Sequence, residues 1–165
     1  MAKARPIPDL SEDDPYALAA AKIVAVRSRE LADQAAGVLD VSDIERVHDM
    51  RVATRRLRAA LEVFEPCFPP KRFRAALREV KELADALGER RDRDVTIAAL
   101  DGFAEAMGRA DRAGISSLAA RLRDEQTEAN EALGPYVAEE RLAALSERLS
   151  ELVADAYRPA TRELA

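Results

Sequence analysis

Apolar residues recur at helical spacing along most of this 165-residue chain, and glycines and prolines mark the breaks between these stretches. Aromatic residues make up only 4% of the sequence, there is no tryptophan, and there are 6 glycines, so the chain is poor in the material of short strands and tight turns. The 48% of hydrophobic and 35% of charged residues instead suit amphipathic helices. The sequence therefore predicts an all-α protein and excludes an all-β one.

Six helices are predicted from the positions of the breaks, over residues 15–39, 44–64, 70–87, 92–107, 111–133 and 138–156. Asp14 is expected to cap the first helix, with Pro15 at its first helical position. Ser42 or Asp43 is expected to cap the second helix, and Glu45, three residues after Ser42, completes a capping-box pattern. The stretch EPCFPP that follows the second helix predicts a turn between antiparallel neighbours, because its prolines remove backbone donors.

A charged connector, GERRDRD, is predicted between the third and fourth helices. Gly88 is expected to end the third helix, and Asp92 or Asp94 to cap the fourth. A second break is expected at Gly134 and Pro135, between the last two helices.

Short links between amphipathic helices favour an antiparallel up-and-down bundle, extended here by a long helical hairpin. We expect residues 1–14 to form a disordered or draped arm and residues 15–165 to form a single helical domain. Within that domain, the N-terminal bundle is expected over residues 15–107 and the hairpin over residues 111–165. The mass of 18.1 kDa fits one domain.

The cysteine content and the hydropathy pattern predict a soluble, cytoplasmic protein. Cys67 is the single cysteine, which excludes an internal disulfide and suits a reducing compartment. The first residues contain no apolar run of a signal peptide, and no stretch is long and apolar enough to span a membrane. No cofactor motif occurs, and no catalytic one is found, so an enzyme is not predicted.

Positive charge is concentrated in the middle of a chain whose formal net charge is -5. Residues 46–93 carry thirteen basic and eight acidic side chains, whereas the two flanks together have a net charge of -10. A basic centre between acidic flanks is the pattern expected of a site for an anionic ligand. The alternative is an ordinary solvated surface, so the positions of the cations on the helices matter.

The basic residues of this segment form rows on single helical faces, each within an arc of about 80°; the row of the second helix lies in a different sector from its apolar residues, and the row of the third lies opposite them. The rows are His48, Arg51, Arg55 and Arg58 on the second predicted helix, and Lys71, Arg74, Arg78 and Lys81 on the third. Further candidates are Arg90, Arg91 and Arg93 of the connector, and Lys22 and Arg29, which share a face of the first helix. Such rows repel themselves by a few tenths of a kcal/mol per pair unless an anion or a carboxylate neutralises them.

The segments VHDMRVATRRLRAALEVF and FRAALREVKELADALGERRDRDV resemble the CHAD domain, the conserved histidine alpha-helical domain. The distinctive features are His48 with Arg51 three residues later, the RRLR run that ends at Arg58, and the LG…RD.DV pattern. This resemblance implies a noncatalytic helical module that binds inorganic polyphosphate and associates with polyphosphate granules. Family members typically have two related bundles, so the chain is similar to the N-terminal half or to a short form. A homodimer or a second CHAD-like bundle would then complete the surface.

Two other functions stay open at the level of the sequence. Asp85, Glu89, Asp92, Asp94 and Asp101 could hold Mg²⁺ in a phosphate-ester or polyphosphate-processing enzyme, although capping explains Asp92 and Asp94. A structural interaction protein would instead pair its arginines with acidic residues across helices. Few aromatics lie in the basic region, which favours polyphosphate over nucleic acid because base stacking needs aromatic platforms.

Overall fold

In a computed structural model of the protein, residues 3–163 are described, apart from the side chains of residues 109, 110 and 159–163. The described residues form five α-helices, which are α1 (Tyr16–Asp33), α2 (Ile44–Val63), α3 (Pro70–Ala106), α4 (Arg109–Val137) and α5 (Glu139–Glu163). A single 3₁₀ turn, Glu65–Cys67, connects α2 to α3. Within the described residues there is no strand, so the predicted all-α class is confirmed.

Four helical segments surround the main core: α1, α2, the first part of α3 and α5. α1 packs against α2 and α5, and α3 packs against the same two helices, so α2 and α5 occupy opposite corners of the bundle. The core contains apolar side chains from all four, and α3 contributes to it only as far as Leu87. Buried residues at its centre include Val24, Met50, Leu57, Leu61, Leu83 and Leu149.

The second half of α3 leaves the bundle and forms the long hairpin with α4. Successive contacts run antiparallel, from Arg90 with Asn130 to Asp101 with Arg123. Beyond the bundle the hairpin is thinly packed, with Ile97 and Ala119 as its buried apolar residues in the described region. The sequence suggested that the last two helices pair with each other, whereas α4 packs mainly along α3 and α5 returns to the bundle.

The prediction of a connector at GERRDRD is wrong, because this segment lies inside one continuous helix of 37 residues. Gly88 neither ends a helix nor has a positive φ, and neither Asp92 nor Asp94 caps one. A glycine inside a helix costs about 1 kcal/mol relative to alanine. Leu87, just before Gly88, and Arg90 and Asp94, after it, are all buried, and their packing keeps α3 helical through this position.

Other predicted helix ends also differ from the structure. α1 ends at Asp33 instead of residue 39, because the chain turns at Gly37 (φ 72°) and then buries Val38 in the core. At the other break, α4 continues to Val137 with Pro135 inside its last turns. A proline there removes a single backbone donor, which the packing of Leu133 in the core offsets.

No side-chain cap bond forms at the start of α1 or of α2. Asp14 accepts hydrogen bonds from the Ser11 backbone N–H and the Lys22 ammonium, and α1 begins after Pro15 without a side-chain cap. Ser42 donates both its N–H and its hydroxyl to Asp40, and Asp43 occupies the N-cap position of α2 without a side-chain cap bond. In both cases a local turn captures the side chain that the cap would need.

Residues 3–14, which precede α1 in the sequence, lie alongside this helix and are attached to it by ion pairs. Arg5 contacts Asp33 and donates its backbone N–H to the buried Glu30, while Lys22 bonds Asp14. The bond from Lys22, followed by the bond from the Ser11 N–H, lowers the pKa of Asp14. None of the helices in the described part of the chain has the length and apolar character needed to cross a membrane.

Candidate functional site

The seam between α2 and α3 brings the predicted arginine row of α2 into a groove. Arg51, Arg55 and Arg58 line it from α2, and Ala84 and Asp85 line it from α3. The groove has a volume of about 170 Å³ and is open to solvent. Three guanidinium groups along one wall make it suited to a ligand with several negative charges.

The helical periodicity of α2 explains why these arginines lie at the seam. Met50, Leu57 and Leu61 are fully buried and fix one face of α2 against the core. The arginine row is about a quarter turn or more away from that face, which places it at the edge that meets α3. The amphipathic pattern that folds the bundle therefore also positions the row.

Gly88 lies directly opposite the first arginine of the groove. A Cβ built on Gly88 would be 4.0 Å from Nε of Arg51, which is an ordinary van der Waals contact. The small residue thus leaves room for the arginine stem, and an added methyl group would still fit.

We expect the Gly88→Ala variant to raise the free energy of unfolding by about 1 kcal/mol, because alanine favours the helix interior and meets no steric obstacle. Urea unfolding followed by circular dichroism measures the change. Ala84→Gly, at the same groove and in the same helix, is the reverse control and should lower stability by a similar amount. A loss of stability in Gly88→Ala would show that Arg51 packs more tightly on α3 than this contact indicates.

At the end of the groove that Arg58 lines, one carboxylate contacts a cation from each of the two basic rows. Oε1 of Glu62 lies 3.0 Å from Nε of Arg58 on α2 and 3.5 Å from Nζ of Lys81 on α3. The hydrogen bond from Arg58 is the main cause of a lowered pKa at Glu62, and the charge of Lys81 adds to it. Glu62 is therefore ionised at neutral pH and neutralises the cations where the rows meet.

The predicted row of α3 continues from this point along the same helical face. Arg78 approaches Glu82 at 3.9 Å, at the limit of an ion pair, and its side chain is 72% exposed. Lys71 and Arg74 are also exposed. We call the combined set the basic track; it extends about 26 Å along α3 from the level of Gly88 to Lys71. Its members are Arg51, Arg55, Arg58, Lys81, Arg78, Arg74 and Lys71.

Several cations of the track have no partner within the described part of the chain. They are Arg51, Arg55, Lys71 and Arg74, none of which forms an ion pair or a side-chain hydrogen bond there. The half-buried His48, one turn before Arg51, likewise has no such partner in this part of the structure. Unpaired cations in a row are electrostatically unfavourable, and a bound polyanion would remove that cost.

The three predicted arginines near the former connector are instead used within the protein. Arg90 is completely buried, with Nε 2.9 Å from Oδ1 of Asp94. Arg91 donates to the Ile44 carbonyl. Arg93 bonds Glu89 one turn earlier and reaches towards α4. These side chains hold helices together and do not line the groove.

The buried pair of Arg90 and Asp94 belongs to a polar layer between α3 and α4. Arg90 also bonds the Asn130 side chain, and Asp94 accepts a hydrogen bond from Gln126. Asn130 in turn donates to the Leu39 carbonyl of the loop before α2. Nη2 of Arg90 and Oδ2 of Asp94 have no hydrogen-bond partner among the described residues. The layer therefore connects three parts of the fold, but it is not fully satisfied.

The cations predicted on α1 do not join the groove. Lys22 is bonded to Asp14 and the Asp9 carbonyl, both from the segment that covers α1. Arg29 is exposed on the same helix and is not one of the groove-lining residues. The structure thus separates Lys22 and Arg29 from the basic track.

No group of three or more histidine, cysteine, aspartate or glutamate side chains in the described region has an arrangement that could hold a metal ion. Asp92 is exposed, whereas Asp94 is buried against Arg90.

Burial raises the pKa of the Cys67 thiol, which disfavours the thiolate that a nucleophile would need.

Two carboxylates of the site were not predicted to lie beside the basic rows: Glu62 was not a sequence-based candidate, and Asp85 was considered only as a possible Mg²⁺ ligand. Asp85 continues the helical face of Lys81 by four residues, and it lines the groove opposite the arginines. Glu62 follows Arg58 by four residues, a spacing that pairs opposite charges on a helix. The spacing could have identified both, because it is the same spacing that identified the cations.

The sequence profile of the CHAD domain matches residues 22–165, which include all five members of the groove and the remainder of the basic track. A search of curated proteins gave no match.

Proposed function

Because the chain belongs to the CHAD domain family, whose members bind polyphosphate, we propose that it binds inorganic polyphosphate through the basic track and does not alter it chemically. The supporting observation is the groove lined by Arg51, Arg55 and Arg58, in which the first two arginines have no partner within the described region. We extend this proposal to binding at polyphosphate granules in the cytoplasm. A second copy of the chain, or a second CHAD-like bundle beside the domain of residues 15–165, would lengthen the track.

The chemistry of the track fits a polyanion without bases. Its ligand-facing groups are guanidinium and ammonium groups, which bind phosphate oxygens through charge-assisted hydrogen bonds. The aromatic residues nearby, Phe64, Phe68 and Phe73, are buried in the core and offer no surface on which a base could stack. This arrangement favours polyphosphate over single-stranded RNA.

Hydrolysis at the previously considered carboxylates has no structural support. Oδ1 of Asp94 is bonded to Arg90 and Gln126, and its side chain is inaccessible, so Asp94 cannot share a metal ion with Asp92 at the surface. CHAD domains are generally noncatalytic. We therefore favour a binding module over the polyphosphate-processing enzyme or a purely structural interaction protein.

The proposal is tested by titrating fluorescently labelled long-chain polyphosphate with the protein at several salt concentrations, with single-stranded RNA as competitor. We expect binding that weakens steeply with salt, because cations of the track replace counterions of the polymer. RNA should compete poorly, and the polymer should keep its length on a gel after long incubation. No binding at low salt, equal competition by RNA, or shortening of the polymer would each contradict the proposal.

A further inference from the structure

We propose that Glu62 is a specificity-determining residue of the basic track, an internal counter-anion that a ligand must displace to contact Arg58 and Lys81. This inference rests on the proposed function and assigns a selectivity to its site. Long polyphosphate would displace the carboxylate, whereas short phosphates would bind elsewhere on the track and leave it in place.

The position of Glu62 is the first support. Its Oε1 contacts a cation from each helix, at 3.0 Å from Arg58 and 3.5 Å from Lys81. A phosphate that bridges α2 and α3 at this level would need the same two cations. The carboxylate and such a phosphate are therefore competitors for one location.

The distribution of unpaired cations gives the second support. Above Glu62, Arg51 and Arg55 line the groove without partners in the described region. Beyond it on α3, Lys71 and Arg74 are exposed and likewise unpaired there. A short phosphate can occupy either group alone, but a polymer that engages both must pass the ion pairs of Glu62.

The accessibility of Glu62 gives the third. Its side chain is 43% exposed, and those of Arg58 and Lys81 are exposed to a similar extent. These ion pairs therefore contribute little to the free energy of folding. A ligand with several adjacent charges can exchange with such a weakly held carboxylate. Because bonds from Arg58 and Lys81 lower the pKa of Glu62, the carboxylate remains charged and competitive at neutral pH.

The test compares wild type and Glu62→Gln for binding to long-chain polyphosphate and to pyrophosphate at fixed, low salt. We expect the variant to bind the long polymer about two- to tenfold more tightly, the range that corresponds to one or two exposed ion pairs. Pyrophosphate affinity should change much less. Glu147→Gln is the matched control, because it removes one exposed carboxylate from α5, at the corner of the bundle opposite α2.

A second background separates the local role from a general effect of net charge. In an Arg58→Ala, Lys81→Ala protein, Glu62→Gln should give little further gain, because the carboxylate has no paired cations left to release. An equal gain in this background, an equal gain from Glu147→Gln, or an unchanged affinity in Glu62→Gln would overturn the role of Glu62. If neither wild type nor variant binds the polymer, the proposed function fails with it; if both bind equally, the proposed function stands and only this inference fails.

Discussion

Simultaneous replacement of Arg51, Arg55 and Arg58 by alanine is expected to weaken binding to long-chain polyphosphate by roughly 30- to 1000-fold at low salt. The three side chains form one wall of the groove, so their loss removes a continuous run of phosphate contacts. Charge-assisted contacts at an exposed site are each worth about 1 kcal/mol, and the sum corresponds to this range. The remaining cations on α3 would retain weak binding.

The salt dependence of the same variant provides a more specific readout. Each cation that neutralises one phosphate adds about one unit to the slope of log affinity against log salt. The triple variant should therefore lose about three units of slope, in addition to its affinity. A smaller slope shows that phosphate contacts were lost, whereas misfolding would only reduce the fraction of active protein.

A matched control uses three arginines on the helices outside the groove. Arg121, Arg123 and Arg148 are exposed on α4 and α5, and their replacement by alanine changes the net charge by the same amount. We expect this control to bind nearly as wild type does. Comparable losses in both triple variants, with both proteins folded by circular dichroism, would mean that binding follows net charge and has no site at the α2–α3 seam.

The rows on α2 and α3 could be predicted because helical periodicity determines which residues share a face. Arg51, Arg55 and Arg58 follow that rule, and the apolar face of α2 is buried as the pattern requires. The prolines of EPCFPP, which remove backbone donors, predicted the turn between these helices, and this turn contains the 3₁₀ turn Glu65–Cys67. Local pattern was sufficient wherever one helix face meets one core.

The same reasoning failed where tertiary contacts decide the outcome. Gly88 reads as a helix stop in isolation, but burial of the residues around it keeps α3 continuous. Once the helix continues, Arg90 turns into the protein and meets Asp94 and α4 instead of solvent. A basic residue in a charged sequence looks like a surface residue until the partner helix, forty residues away, is known.

The buried pair of Arg90 and Asp94 leads to the second large expected effect, which is on stability. Asp94→Ala should lower the free energy of unfolding by about 3–5 kcal/mol, because it leaves the Arg90 guanidinium buried without its counter-charge. Arg90→Ala should have a loss of similar size for the converse reason. Urea unfolding followed by far-UV circular dichroism measures both. Asp92→Ala is the control, since this exposed carboxylate is two residues away and should change stability by less than about 0.5 kcal/mol.

The double variant Arg90→Leu, Asp94→Leu distinguishes a penalty for unpaired charge from a true stabilisation by the ion pair. Nη2 of Arg90 and Oδ2 of Asp94 lack partners in the described region, so the pair does not recover its full desolvation cost. Two leucines at i and i+4 would instead fill the layer with apolar contacts, and the half-exposed amides of Gln126 and Asn130 could turn to water. We therefore expect the free energy of unfolding of the double variant to exceed that of the more stable single alanine variant by about 2 kcal/mol. If the double variant were as unstable as the worse single variant, the ion pair itself would stabilise the packing of α3 against α4, whereas losses that add would show that the two side chains act independently.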